Sequence, residues 1–357
     1  MSKVLLFCFF IIMFISLSLS LDPSKMILTK GLRNAKGVST VLGTMEFGRR
    51  ASLEESTAMV KLFKEKNYNE LDTAAMYSGG QTEEYLGEMK ENWENTNVMA
   101  TKINAWGKNN LTAHGVKTQT ENCLKRMQVE SVDILYLHAP DHKTKLTETL
   151  KAMNELHKQG KFKELGLSNY SAWLVAEVYN ICKANNYVLP TVYQGMYSAI
   201  TRAVEKELLP CLKFYNIRFY AYSPLGGGIL TGKWSYDDKE KMESQPNSRF
   251  FGASPWTKIY RDRYWKTEYF EGIENLKGLL TEIYGADQVS VPEAAYRWLY
   301  HHSALKDNDA VIVGASSLKQ LEMNLDYTVK GELDAKVVEF FEEFWKNTSH
   351  LCPDYLR

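Results

Sequence analysis

From Val38 onward, short runs rich in Val, Ile, Leu, Tyr and Phe alternate with longer segments whose apolar residues recur every three or four positions. The runs VSTVLGT (38–44), YNELDTA (68–74), NVMATKI (97–103), VDILYLHA (132–139), FKELGLSN (162–169), TVYQGMY (191–197), RFYAYSPL (218–225) and DAVIVGAS (309–316) predict β-strands. Between them, LEESTAMVKLFKEKN places Met59, Leu62 and Phe63 on one helical face, and TETLKAMNELHKQG does the same with Leu150, Met153 and Leu156. Punctuation agrees: Gly160 follows a helix ending in His157 and Lys158, and Ser171 stands where an N-cap is needed. Strict βα alternation, with strands too apolar to face water on either side, demands a parallel sheet covered by helices. Eight such units close most naturally into an α/β (β/α)8 TIM barrel. The rival, a doubly wound open sheet, wants GxGxxG after its first strand; here Met45, Glu46, Phe47 and Gly48 follow instead.

Two segments fall outside the repeat. Residues 226–290 form a long loop after the seventh strand, ahead of the helix EAAYRWLYHH, and residues 332–350 read as a final helix with a tail to Arg357. Loops of that length in a compact domain are lids or binding loops. No linker divides the chain, so residues 38–357 are expected to be one domain, and 357 residues suit a barrel of about 250 with extensions.

With 43 basic and 43 acidic side chains the formal charge is zero, so neither nucleic acid nor an anionic membrane is attracted in general. Any anion must be held locally. At the N-terminus Lys3 precedes an apolar run from Val4 to Ile15, then the small residues Ser18 and Ser20. These are the parts of a secretory signal peptide over residues 1–20, with no basic flank of a membrane anchor behind them. The alternative is an extension that targets nothing. Cysteine usage does not support secretion: Cys8, Cys123, Cys182, Cys211 and Cys352 are too widely spaced for a disulfide framework or a zinc site, so no metal is expected. Sequons at Asn110, Asn169 and Asn347 become acceptors only on the secretory route.

Asp72, Tyr77, Lys102 and His138 fall at or just beyond the C-terminal ends of the second, third and fourth strand candidates. In a barrel such ends converge on one mouth, where catalytic groups gather. A tyrosine hydroxyl titrates near about 10, and a neighbouring ammonium favours its phenolate. Lys102 would supply that charge, Asp72 would hold Lys102 protonated, and His138 would hydrogen-bond and orient a carbonyl oxygen. The set suits protonation of an oxygen that has just gained electron density, as when hydride adds to a carbonyl. Singly, each has a plainer reading: a structural carboxylate, a turn tyrosine, an ion-pair lysine, a core histidine. Joint placement is what favours chemistry.

The blocks LDTAAMYSGGQTEEYLG, ATKI, ILYLHAPD and GLSNYSAW resemble the aldo-keto reductase superfamily and match its Asp, Tyr, Lys and His tetrad at Asp72, Tyr77, Lys102 and His138. VLGTMEFGRR, AYSPLGGGILTGKW, RFFG, YRDRYW and CPDYLR are similar to its aflatoxin aldehyde reductase branch, which also contains succinic semialdehyde reductases. The resemblance runs over about residues 38–357 and implies NADPH-dependent reduction of aldehydes and dialdehydes, with Tyr77 as proton donor. For the nicotinamide it implies Asp72, Ser168, Asn169 and Gln194. For the phosphates and adenosine it implies Ser223, Pro224, Leu225, Gly226, Gly228, Lys233, Arg249, Gly314, Ser316, Lys319, Gln320 and Asn324. The Gly226–Gly228 run would leave backbone N–H groups open to phosphate, and GASS opens a helix start suited to anions. Taken alone, GGG reads as a flexible turn, and Ser317 with Gln320 as a capping box. The chain departs from the branch where Ser223 replaces a common asparagine, Lys319 an acidic residue and Met323 a glutamine.

Residues 249–266 interleave arginine and lysine with aromatic side chains. Single-stranded nucleic acid is one reading of that pattern, but zero net charge favours a lid that excludes water and offers cations to an anionic substrate. By resemblance, His138, Tyr260, Arg263 and the terminal Arg357 contact substrate, the arginines gripping a carboxylate; the plainer reading of Arg357 is a frayed end. The resemblance also implies a cytoplasmic location, against the leader, and it alone suggests a homodimer. A contrasting reading on the same barrel is an NADPH-binding interaction protein resembling the potassium-channel β subunits.

Overall fold

Val, Ile and Tyr side chains fit a pleated, doubly covered surface, and each apolar run becomes a strand. The computed structural model describes residues 34, 36–94, 98–107, 110–240, 248–252 and 255–356. Its strands are β1 (Ser39–Gly43), β2 (Glu70–Asp72), β3 (Val98–Ile103), β4 (Val132–Leu137), β5 (Phe162–Ser168), β6 (Pro190–Met196), β7 (Arg218–Tyr222) and β8 (Ala310–Gly314). All pair in parallel in chain order, and β1 closes on β8 from Ser39 opposite Ala310 to Gly43 opposite Gly314. The chain is therefore a TIM barrel, and the open-sheet rival is excluded.

The helices between strands are α1 (Leu53–Glu65), α2 (Gln81–Glu88), α3 (Ala113–Met127), α4 (Leu146–Lys158), α5 (Ala172–Ala184), α6 (Leu208–Phe214), α7 (Pro255–Tyr264), α8 (Thr267–Tyr284) and α9 (Val291–Arg297), with α10 (Leu318–Thr328) and α11 (Ala335–Thr348) after β8. Met59 and Phe63 of α1 and Leu150, Met153 and Leu156 of α4 are buried as their spacing predicts. Ser171 caps α5 by accepting the Leu174 N–H, and Gly160 turns the chain out of α4 at φ +73°.

The segment 226–290, expected to be one long loop, carries more regular structure than that. Tyr269, Phe270, Ile273, Leu276 and Leu280 form the buried stripe of the 18-residue α8, which packs on α11. Residues 1–20 and Arg357 lie outside the described residues. Among the described residues no helix is long and apolar enough to cross a membrane.

Side chains alternate between two sides of each strand. One set meets the helices; the other fills the barrel with Val41, Ala100, Ile134, Tyr136, Val192, Tyr220, Ala310 and Ile312. Tyr136 fits there because Gly166, on the adjacent β5, has no Cβ: one added at Gly166 would come within 2.3 Å of the Tyr136 ring. Gly166→Ala is therefore expected to destabilise the fold by about 1–3 kcal/mol through overpacking, read as a lower midpoint in urea unfolding. An unchanged midpoint would show that Tyr136 can move.

Candidate active site

Parallel pairing continues past the regular strands and fixes the residues just beyond them. The Thr73 and Ala75 N–H groups donate to the carbonyls of Ala100 and Lys102, and the His138 N–H donates to the Ile103 carbonyl. Tyr77 opens a tight 3-10 turn (Tyr77–Gly80) in which Ser78, Gly79 and Gly80 all have positive φ. The Phe47 carbonyl pins this turn by accepting from Ser78 Oγ at 3.0 Å and Thr82 Oγ1 at 2.8 Å.

The four predicted residues come together. Lys102 Nζ, wholly buried, pairs with Asp72 Oδ1, donates to the Thr73 carbonyl at 2.7 Å and lies 3.5 Å from the Tyr77 hydroxyl. The Tyr77 ring meets His138 edge-on, with centroids 6.2 Å apart. Gln194 Nε2 donates to Asp72 Oδ2 at 2.8 Å, so this cofactor candidate belongs to the same cluster. Asn169, at φ +62°, donates to the His138 carbonyl at 2.8 Å and to Ser168 Oγ at 3.0 Å, and accepts from the Tyr222 hydroxyl at 3.0 Å. With its side chain buried and so engaged, the Asn169 sequon offers no room for a glycan in the folded chain.

Burial pushes the Asp72 carboxyl up and the Lys102 ammonium down, each opposed by the charge of the other. Burial also raises the Tyr77 hydroxyl well above its ordinary value, and the Asp72 carboxylate adds to the rise while Arg249 opposes it. Desolvation is the largest influence on the hydroxyl, and the Lys102 ammonium expected to favour its phenolate is itself paired with Asp72. A raised hydroxyl favours the protonated form, the one that can give a proton.

Two loops carry the other predicted cofactor residues, one after β7 and one after β8. Ser223, at φ +56°, begins a turn through Pro224 and Leu225 into Gly226, Gly227 and Gly228, at φ +54°, +69° and +109°. Three left-handed residues in succession require glycine, and a Cβ at Gly227 would meet the Tyr260 ring at 2.6 Å, so GGG is a defined turn and not a flexible one. Its amides are less open than expected, because Gly226 donates to the Ser223 carbonyl and Gly228 to the Leu225 carbonyl.

Arg249 stacks over the Tyr260 ring at 5.3 Å and reaches Glu46 at 3.3 Å. Glu46 also holds Arg50 at 2.7 Å and Arg49 at 3.6 Å. Burial opposes its ionisation, yet the Arg50 hydrogen bond and the charges of Arg249, Arg50 and Arg49 bring its carboxyl down to about 2. Three guanidinium groups around one carboxylate leave the mouth positive. Lys233 is exposed beside them over Trp234.

After β8, Gln320 Oε1 accepts from the Ser316 N–H and hydroxyl, Ser317 Oγ accepts from the Gln320 N–H, and Asn324 Nδ2 donates to the Gly314 carbonyl. The capping box is real, displaced by one residue, and gathers Gly314, Ser316, Gln320 and Asn324 at the start of α10, with Lys319 exposed beside them. Tyr260 is buried and Arg263 half-exposed on α7. Sequence reasoning missed Trp106, 4.9 Å from the His138 ring, and also Glu46 and Tyr222. Tyr222 ends β7 and was within reach of the strand-end rule; Glu46 was not, since its partner Arg249 lies 203 residues away.

The model of the aldo/keto reductase family matches residues 40–346. The chain is 52% identical over 323 residues to aflatoxin B1 aldehyde reductase member 2 of Rattus norvegicus, covering 89% of this chain and 87% of that protein. Against the Homo sapiens protein of the same description the identity is 51% over 325 residues, 90% of each chain. Aflatoxin B1 aldehyde reductase member 4 of Homo sapiens is 50% identical over 322 residues, 89% of this chain and 96% of that one.

Proposed function

The chain belongs to the aldo/keto reductase family, and from that premise we propose that it reduces aldehydes and dialdehydes, including short carboxylated aldehydes, to alcohols with NADPH. The observation that carries this reading is the buried Lys102, paired with Asp72 and within 3.5 Å of the Tyr77 hydroxyl, beside the His138 ring. NADPH, when bound, supplies hydride to the carbonyl carbon. His138 orients the carbonyl oxygen, and Tyr77 gives that oxygen its proton. Lys102 steadies the phenolate left behind, and Asp72 with Gln194 keeps Lys102 in place.

The residues present suit the cofactor. Ser168, Asn169 and Gln194 are amide and hydroxyl groups at neighbouring strand ends, fit for a carboxamide, and the cations around Glu46 outnumber it in favour of phosphates. Ser223 to Gly228, Lys233 and Arg249 would serve one stretch of the cofactor, and Gly314, Ser316, Lys319, Gln320 and Asn324 the other. Tyr260, Arg263 and Arg357 would face the substrate. Residues 38–357 act as the catalytic domain, and a homodimer is the assembly the resemblance suggests.

The test is NADPH consumption at 340 nm with succinic semialdehyde or 2-nitrobenzaldehyde, with NADH in parallel. We expect turnover with NADPH of about 1–10³ s⁻¹ and markedly slower turnover with NADH. Tight NADPH binding with negligible turnover would overturn the reductase reading in favour of a nucleotide-dependent interaction protein.

A further inference from the structure

Two residues before Asp72, and so on the same side of β2, Glu70 points into the barrel. It is fully buried; Oε2 accepts from the Tyr220 hydroxyl at 3.2 Å, and Oε1 has no hydrogen-bond partner among the described residues. The cations that could balance it are engaged. Lys102 on β3 is paired with Asp72, and Arg218 on β7 holds Glu164 on β5 through contacts of 2.6 and 3.0 Å. Arg218 Nε lies 3.4 Å from the Tyr220 hydroxyl, so the donors run Arg218 to Tyr220 to Glu70. Tyr136 on β4 shares the barrel interior, its ring 5.7 Å from Lys102 Nζ. The remaining interior positions on β1, β6 and β8 include Val41, Val192, Ala310 and Ile312.

Inside the barrel the two ion pairs cancel, and Glu70 is left over. A carboxylate without a counter-ion in a dry interior is costly, and such a group takes up a proton instead. We infer that Glu70 is a positioning residue for the reaction: as a neutral acid it leaves Asp72 the undivided counter-ion of Lys102, and on ionising it places a second negative charge beneath that pair. That charge, two residues along β2 from Asp72, competes for the field of Lys102, which faces the Tyr77 hydroxyl at 3.5 Å, and so makes the Tyr77 proton harder to release. Burial, against the Arg218 charge and the Tyr220 hydrogen bond, pushes the Glu70 carboxyl up to about 8, so the transition falls just above neutrality. The inference rests on Tyr77 being the proton donor.

The test compares wild type with Glu70→Gln, which is permanently neutral and nearly isosteric. In the pH profile of kcat/KM, which reports groups of the free enzyme, wild-type aldehyde reduction should fall about tenfold between pH 7 and pH 9. The variant should match wild type at pH 6.5 and lose that limb. A second readout needs no substrate. A carboxyl whose folded pKa exceeds its unfolded value of about 4.3 costs stability that grows as pH rises between the two. Glu70→Gln should therefore gain in Tm over wild type progressively from about pH 5 to about pH 8. A limb retained in the variant, or a Tm difference that stays flat with pH, overturns the inference while leaving the reductase reading intact. Absence of turnover in wild type defeats that reading, and the role of Glu70 falls with it.

Discussion

Tyr77→Phe is expected to lower kcat for aldehyde reduction by about 10²–10⁴-fold, the range a positioned general acid contributes, with NADPH affinity nearly unchanged. The change removes one oxygen and little else. The Phe ring can keep the edge-on contact with His138, and Lys102 retains Asp72 and the Thr73 carbonyl as partners, so neither packing nor the buried pair depends on the lost hydroxyl. Burial and the Asp72 carboxylate hold the Tyr77 pKa well above its ordinary value, so the wild-type acid stays loaded at neutral pH and the deficit should not be recovered by lowering the pH. Single-turnover mixing of the NADPH complex with aldehyde isolates the step. A variant that keeps a tenth or more of the wild-type rate would show that water or another side chain delivers the proton.

How much of this could be read from residues alone differs from element to element. Strands β3 to β6 fall within two residues of their apolar runs, because a barrel strand buried on both sides needs apolar side chains all along it. β7 ends earlier than its run, at Tyr222, because Ser223 turns into the left-handed region. The helix α8 was legible in principle from its spacing and was hidden by treating everything after the seventh strand as lid. The catalytic quartet was legible because strand ends share a mouth, so order along the chain already implies proximity. Glu46 and Trp106 were not, since loop geometry decides whom they meet. Electrostatic sign was the least accessible. Spacing put Lys102 beside Tyr77, but only burial and the competing claim of Asp72 determine which way the hydroxyl moves.

The role of Lys102 can be separated from its structural role. Lys102→Met fills a similar volume but leaves the buried Asp72 without its cation, and losing one partner of a buried pair costs about 3–5 kcal/mol. Burial already pushes the Asp72 carboxyl up, and in this variant the push is no longer opposed by the ammonium, so stability should fall further as pH rises. Activity should drop about 10²-fold or more, since the phenolate on Tyr77 would form without a neighbouring ammonium. Stability loss alone would also depress activity, which makes the double variant Asp72→Asn with Lys102→Met the informative one. There both charges are gone, and the new amide can still accept the Gln194 hydrogen bond through its oxygen. Replacing both members of a buried pair by neutral groups is often close to neutral for stability. The double variant should thus recover most of the lost unfolding free energy in urea and remain as inactive as Lys102→Met. If turnover returned together with stability, Lys102 would be a structural cation, and the acidity of Tyr77 would have to be tuned from the Arg249 side of the mouth.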